Sequence, residues 1–224
     1  MGDNVTFASN GETAQAYLAT PPRGSGPALV LIQEWWGLVP HIVDVADRLA
    51  AEGFVVLAPD LFRGVVTREP DEAAKLMMAL DLERAAKDIA GAAASLRTRD
   101  DTTGAGVGVV GFCMGGGLAL WSGTISPDIA ATVAFYPAMP WEGLSPDWSA
   151  YAGKHALVHL AEQTKPRIEQ VSKEIESAGG SAEYDDYPGV HHAFFNDARP
   201  EVYDAEAAKT AWQRTLEFLR RHLA

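Results

Sequence analysis

Hydrophobic and polar positions along this chain follow two alternating periods. Val5-Thr-Phe and Gln15-Ala-Tyr-Leu18 alternate in twos around Asn10-Gly11, which predicts a β-hairpin of edge strands. Continuous apolar runs at 28–32, 53–60, 107–110, 131–136 and 156–160 then read as strands buried on both faces of a parallel sheet. Between them, residues 42–51, 71–97, 166–178 and 203–222 carry apolar side chains at helical spacing, with a break expected near Asp81. A further apolar helix starts at Gly115. Residues 182–187 alternate as a strand near the sheet's edge, while 20–27 and 139–152, rich in Pro and Gly, read as loops. Strands alternating with helices predict an α/β fold, a mostly parallel central sheet with helices on both faces, in one domain spanning 1–224. In such sheets ligands bind beyond the carboxyl ends of the strands, where Glu34, Asp60, Cys113, Glu162 and His192 fall.

Composition narrows the partners. With 47% hydrophobic residues in 224, the chain can bury one sizeable core. A formal charge of −12 argues against nucleic acid or an anionic membrane, both of which need a basic surface. One cysteine permits no internal disulfide, and no basic segment followed by an apolar run opens the chain. A cytoplasmic monomer acting on a small molecule is the expectation. Met1-Gly-Asp-Asn-Val-Thr6 fits a loose myristoylation pattern but runs straight into an expected strand.

The chemistry centres on Val107 to Leu120. Gly111-Phe-Cys-Met-Gly115 has the spacing of a nucleophile elbow, in which flanking glycines make room for a strained strand-to-helix turn that lifts one side chain above the sheet. Cys113 would then sit at a helix amino end, where unpaired amides and the helix dipole favour a thiolate. The Met114 amide would face a developing oxyanion. A lone cysteine is more often inert packing, yet packing alone needs no glycine at both minus two and plus two.

Gln33-Glu-Trp-Trp-Gly37, Ala58-Pro-Asp-Leu-Phe62, Gly111-Phe-Cys-Met-Gly-Gly-Gly117 and His191-His-Ala-Phe-Phe-Asn-Asp197, in this order, resemble the marks of the dienelactone hydrolase family. That resemblance covers nearly the whole chain and implies an α/β-hydrolase fold and a hydrolase of carboxylic esters or lactones, needing neither metal nor organic cofactor. It implies Cys113 as nucleophile, His192 as the proton carrier, Glu34 as the carboxylate that controls thiol ionisation, and the Trp35 and Met114 amides as oxyanion donors. Trp36, Phe112, Phe194 and Arg63 are assigned to the substrate pocket. His191 is the rival of His192, whereas His159, inside an apolar strand, reads as a core residue. Glu34 could instead simply pair with an arginine.

The acid departs from the pattern. Thr164 stands where the family has an aspartate, so the orienting carboxylate is expected to be Glu162, with Asp185, Asp186 or a bare Cys–His pair as alternatives. Asn196 and Asp197 stand where family members place an arginine for the substrate's carboxylate, which favours a neutral or hydrophobic ester, although Arg63 and Arg68 could recruit an anion. A non-catalytic binding module on the same scaffold, or an acyl transferase, are the competing readings.

Overall fold

The computed structural model describes residues 2–9, 11–161 and 165–223. Among the described residues the two periods resolve into eight strands, β1 Asp3–Ser9, β2 Glu12–Ala19, β3 Gly26–Ile32, β4 Val55–Pro59, β5 Thr102–Phe112, β6 Ile129–Phe135, β7 His155–Leu160 and β8 Ser181–Asp186. They form one sheet in the order β1-β2-β4-β3-β5-β6-β7-β8. The pairs β1–β2 and β2–β4 are antiparallel and the remaining pairs are parallel. Only β1 of the opening hairpin is an edge strand. Its partner β2 lies between β1 and β4, so β2 is interior rather than at the edge as the hairpin pattern suggested.

The helices are α1 Pro40–Ala51, α2 Pro70–Met78, α3 Leu82–Arg97, α4 Met114–Ile125, α5 Lys165–Ser177 and α6 Ala205–Leu223. The expected break falls between α2 and α3, because the Asp81 carboxylate accepts the Arg84 amide at 3.0 Å and so caps a new helix start. α1 and α6 meet where Arg48 lies 4.8 Å from the Trp212 ring. A short 3₁₀ turn, Trp148–Tyr151, interrupts the stretch that reads as loop, and the Tyr151 hydroxyl donates to the Leu120 carbonyl of α4 at 2.6 Å. No helix among the described residues is long and apolar enough to cross a membrane.

Register positions the site. Ile32 pairs with Gly111, Gly111 with Ala134 and Phe112 with Phe135, so β3, β5 and β6 end side by side. Their next residues, Gln33-Glu34, Cys113 and Tyr136, therefore emerge together. Cys113 takes φ 54° and ψ −117° before α4 begins, the strained bend that the glycine spacing predicts. A β-carbon at Gly111 would collide with the Gly115 carbonyl, and one at Gly115 with the carbonyls of Ile32 and Gln33. The glycines thus allow α4 to start against the neighbouring strand. We expect Gly115→Ala to cost about 1–3 kcal/mol by overpacking, read as a fall in the urea midpoint, while Gly143→Ala, with nothing within 4 Å of its β-carbon, leaves the midpoint unchanged.

Candidate active site

Cys113 is 8% exposed and Glu34, at the end of β3, is 1% exposed. A carboxylate in so dry a place must be hydrogen-bonded. Asn196 Nδ2 donates to Glu34 Oε2 at 2.8 Å, and the Tyr136 hydroxyl donates to Oε1 at 3.4 Å. Burial still dominates and raises the carboxyl to about 7, with Asn196, the Arg199 charge and Tyr136 all pulling the other way. Glu34 is therefore not in a simple arginine pair.

The thiol corrects the expectation of a resting thiolate. Burial first and the Glu34 charge second push Cys113 up to about 12, against the opposing pull of the Met114 amide, Arg199 and the Trp35 amide. A helix amino end is worth about 0.3–1 kcal/mol, too little to reverse such desolvation. The Met114 amide, at the start of α4, and the Trp35 amide, just after β3, are among the groups that favour the thiolate against that burial. Cys113 Sγ has no hydrogen bond to Glu34 or to the His192 ring in this arrangement. Catalytic hydrogen bonds are often long before substrate binds.

His192 is exposed and its ring meets the Tyr136 ring edge-on, with centroids 5.0 Å apart. The protein around it lowers its pKa by desolvation, helped by the Arg199 charge, so it is neutral near pH 7. The next residue, Ala193, is buried with φ 69°, which turns the chain sharply between the exposed His191-His192 and the buried Phe194-Phe195. Glu162 lies outside the described residues, as does Thr164. The alternatives Asp185 and Asp186 are occupied elsewhere, Asp185 by Arg214 of α6 and Asp186 by Lys165 of α5 at 2.6 Å. His159 is a satisfied core residue, as its apolar strand suggested: Tyr187 and Thr215 hydroxyls lie 3.1 and 2.9 Å from its two ring nitrogens, and burial lowers it to about 3.

The pocket assignments divide. Trp36 is half-buried, packs edge-to-face on Trp35 at 5.0 Å, and lines a cavity of about 560 Å³ together with His41, Val66, Arg68, Asn196 and Arg199. Phe112 and Phe194 do not line it. Both are fully buried, Phe112 against Phe135 and Phe195, and Phe194 against Tyr136 and Tyr187, so they form the floor under the site. Arg63 lies elsewhere, paired with buried Asp88 at 3.1 Å beside Ser9, which donates to the same carboxylate at 2.6 Å. Asp60 likewise serves its turn, accepting the amides of Phe62 and Gly64 at 3.1 and 2.6 Å.

Three residues escaped the sequence. Arg199 sits with its guanidinium 5.6 Å from the Trp36 ring, and its charge reaches Glu34, Cys113, Tyr136 and His192. Nothing local marks it out, since it follows an ordinary Asn-Asp-Ala turn. Tyr136, read only as the end of a strand, touches Glu34 and His192. Asp197, which stands where family members place an arginine, is hydrogen-bonded to His41 Nδ1 at 3.2 Å and paired with Arg48 at 3.4 Å.

A parallel sheet extended by an antiparallel hairpin, with a strained bend before α4 and the candidate groups at the strand ends, defines an α/β-hydrolase fold. The chain belongs to the dienelactone hydrolase family, whose model matches residues 14–223. It is 36% identical over 236 residues to "Protein usf" of Aquifex pyrophilus, covering 100% of both chains. It is 32% identical over 238 residues to the "Probable 2-oxo-3-(5-oxofuran-2-ylidene)propanoate lactonase" of a Bradyrhizobium species, covering 99% of this chain and 94% of that one. Among solved structures, a "Putative Dienelactone Hydrolase" from Klebsiella pneumoniae superposes with a TM-score of 0.84 at 25% identity, covering 99% of each chain. The protein is thus a hydrolase, and the binding-module reading is set aside.

Glu34 also carries a stability cost with a definite sign. Its folded pKa of about 7 lies above the ordinary 4.5, so the folded state holds a proton that the unfolded state has released. The associated stability is full below about pH 4.5 and is lost as pH rises to about 7, amounting to about 3 kcal/mol. Glu34→Gln keeps an acceptor for Asn196 and removes the charge. We expect it to melt about 5–10 °C above the parent at pH 8 and near the parent at pH 4.5. Parallel melting curves for the two proteins across that range would contradict the buried-charge account.

Proposed function

We propose that this hydrolase opens carboxylic esters or lactones through Cys113, and that its substrates carry a carboxylate. What supports the reading is the strained bend at Cys113, at φ 54° where β5 meets α4, with buried Glu34 near enough for its charge to act on the thiol and His192 joined to Glu34 through Tyr136, which touches both. In the first half-reaction the Cys113 thiol gives its proton to ionised Glu34. Glu34 is the favoured acceptor because taking the proton removes the very charge that opposes the thiolate. The sulfur attacks the carbonyl carbon, the carbonyl oxygen becomes an oxyanion on the two amides, and the C–O bond breaks. His192 carries the proton from Glu34 to the leaving oxygen. In the second half-reaction neutral His192 takes a proton from water, hydroxide displaces the sulfur from the thioester, and the proton returns to Cys113.

The carboxylate preference rests on Arg68 and Arg199 at one cavity, with Trp36, Val39, Pro40 and Val66 as its apolar wall. Arg68 is in no ion pair among the described residues, whereas Arg199 also bonds Glu201 at 2.9 Å. This replaces the neutral ester favoured by sequence, which placed the missing arginine at Asn196. The lactonase relative is named for an anionic lactone, which supports the same substrate class.

Two expectations test the proposal. With p-nitrophenyl acetate, Cys113→Ala and His192→Ala lose at least about 10²–10⁴-fold in kcat, while His191→Ala stays within a few-fold. Equal losses in the two histidine variants would assign the wrong ring. On a pair of aryl esters differing only in an acyl carboxylate, Arg68→Gln lowers kcat/KM for the anionic ester by about tenfold, through KM, and leaves the neutral one unchanged. Equal effects on both esters would remove the anion preference.

A further inference from the structure

Tyr136 meets both Glu34 and His192, through its hydroxyl and its ring respectively. It follows β6 in register beside Cys113 and is fully buried. Its backbone is held at φ 37°, an unfavourable conformation for a bulky residue, which persists only where the surroundings impose it. What imposes it is visible. The Tyr136 amide donates to the His159 carbonyl at 2.7 Å, which keeps the chain paired with β7, while Pro137 starts a new direction and Ala138 returns its amide to the Cys113 carbonyl at 2.9 Å. That detour swings the Tyr136 ring against Phe112 and Phe194, with centroids at 6.2 and 5.4 Å, and brings it into an edge-to-face pair with the His192 ring. The hydroxyl meanwhile reaches Glu34 Oε1.

We propose that Tyr136 is a positioning residue with two separable duties: its hydroxyl holds the Glu34 carboxylate in place beside the thiol, and its ring sets the plane of the His192 imidazole. Both duties rest on the hydrolase reading for their purpose, but the contacts do not. The hydroxyl duty follows from donor chemistry. A phenol O–H donates to a carboxylate better than to a carboxylic acid, so it favours ionised Glu34, the form that can receive the thiol proton. The ring duty follows from geometry: an edge-to-face pair at 5.0 Å fixes the orientation of one ring relative to the other. His192 has no hydrogen bond among the described residues, so within that set the aromatic contact is its orienting neighbour.

Two substitutions separate the duties. Tyr136→Phe removes the hydroxyl and keeps the ring, whereas Tyr136→Leu removes both and keeps an apolar filler. The readout independent of turnover is the pH dependence of Cys113 alkylation by iodoacetamide. The reactive form pairs a thiolate with protonated Glu34, so the rate climbs with pH until Glu34 ionises and is then level. In Tyr136→Phe that levelling point moves upward by about half a pH unit, with kcat reduced only a few-fold. In Tyr136→Leu the same displacement appears, and kcat falls about tenfold further with KM within twofold of the parent. An unmoved levelling point in Tyr136→Phe overturns the hydroxyl duty. Equal kcat in the Phe and Leu variants overturns the ring duty. If Tyr136→Leu does not fold, Tyr136→Met takes its place, read by the His192 imidazole ¹⁵N and ring-proton shifts: these move away from the Tyr136→Phe values if the aromatic contact sets the ring, and shifts equal to those of Tyr136→Phe overturn the ring duty. A parent protein that alkylates with this profile yet turns over no ester overturns the hydrolase reading and leaves the Tyr136 assignment standing.

Discussion

Two groups that would each rather be neutral share one dry pocket, and the site is arranged around that conflict. Ionised Glu34 beside Cys113 holds the sulfur as a thiol, and burial does the same more strongly. Neither group can be moved toward water without undoing the register that ends β3, β5 and β6 together. The pocket instead supplies partners from elsewhere in the chain: Asn196 from the segment after β8, Tyr136 from the end of β6, and the Arg199 charge from the same segment as Asn196. Their combined pull leaves Glu34 at about 7, where a carboxyl can both take and give a proton at neutral pH.

One segment therefore carries much of the site. Between β8 and α6 it holds His192, Asn196 and Arg199, and it has no regular structure to fix it. Asp197 supplies an anchor, bonding His41 and Arg48 of α1, while the Arg48 guanidinium lies 5.1 Å from Phe195 and 4.8 Å from Trp212 of α6. With Asp197 partly solvated, its ion pair with Arg48 contributes little by itself. The two aromatic faces restrict the guanidinium, so the anchor's value lies in its geometry. Helices α1 and α6 thus grip the segment that presents the imidazole.

The fold was legible because its signals are local and periodic. Apolar runs gave the inner strands, the Asn-Gly step gave the hairpin, and Asp81 marked the helix break. The bend at Cys113 was equally legible, since glycines at minus two and plus two have no other economical use. What failed was everything set by distance in space. Arg63 looked available because sequence does not reveal Asp88 of α3 lying against it. Phe112 and Phe194 looked like pocket walls because an aromatic side chain reads the same as wall or floor. The thiolate was misjudged for the same reason, as a helix amino end is visible in sequence and a neighbouring buried carboxylate is not. Glu34 lies 102 residues from Tyr136 and 162 from Asn196 along the chain.

Strain tells the same story from the backbone side. Four residues other than glycine have left-handed φ among the described residues, and three of them, Cys113, Tyr136 and Ala193, belong to this site. Such conformations cost about 1–3 kcal/mol each, and ionised Glu34 adds a burial cost of similar size, against net stabilities of about 5–15 kcal/mol for whole domains. A site this expensive can persist only on a support that does not yield. Helix α4 provides it: Met114 to Leu120 are all buried, so the helix is held by packing on every side. At its far end Lys154 closes the Gly123 and Ser126 carbonyls at 2.6 and 2.8 Å. The rigidity of that helix and the register of three strands are what allow a strained cysteine, a strained tyrosine and a buried carboxylate to occupy adjacent positions.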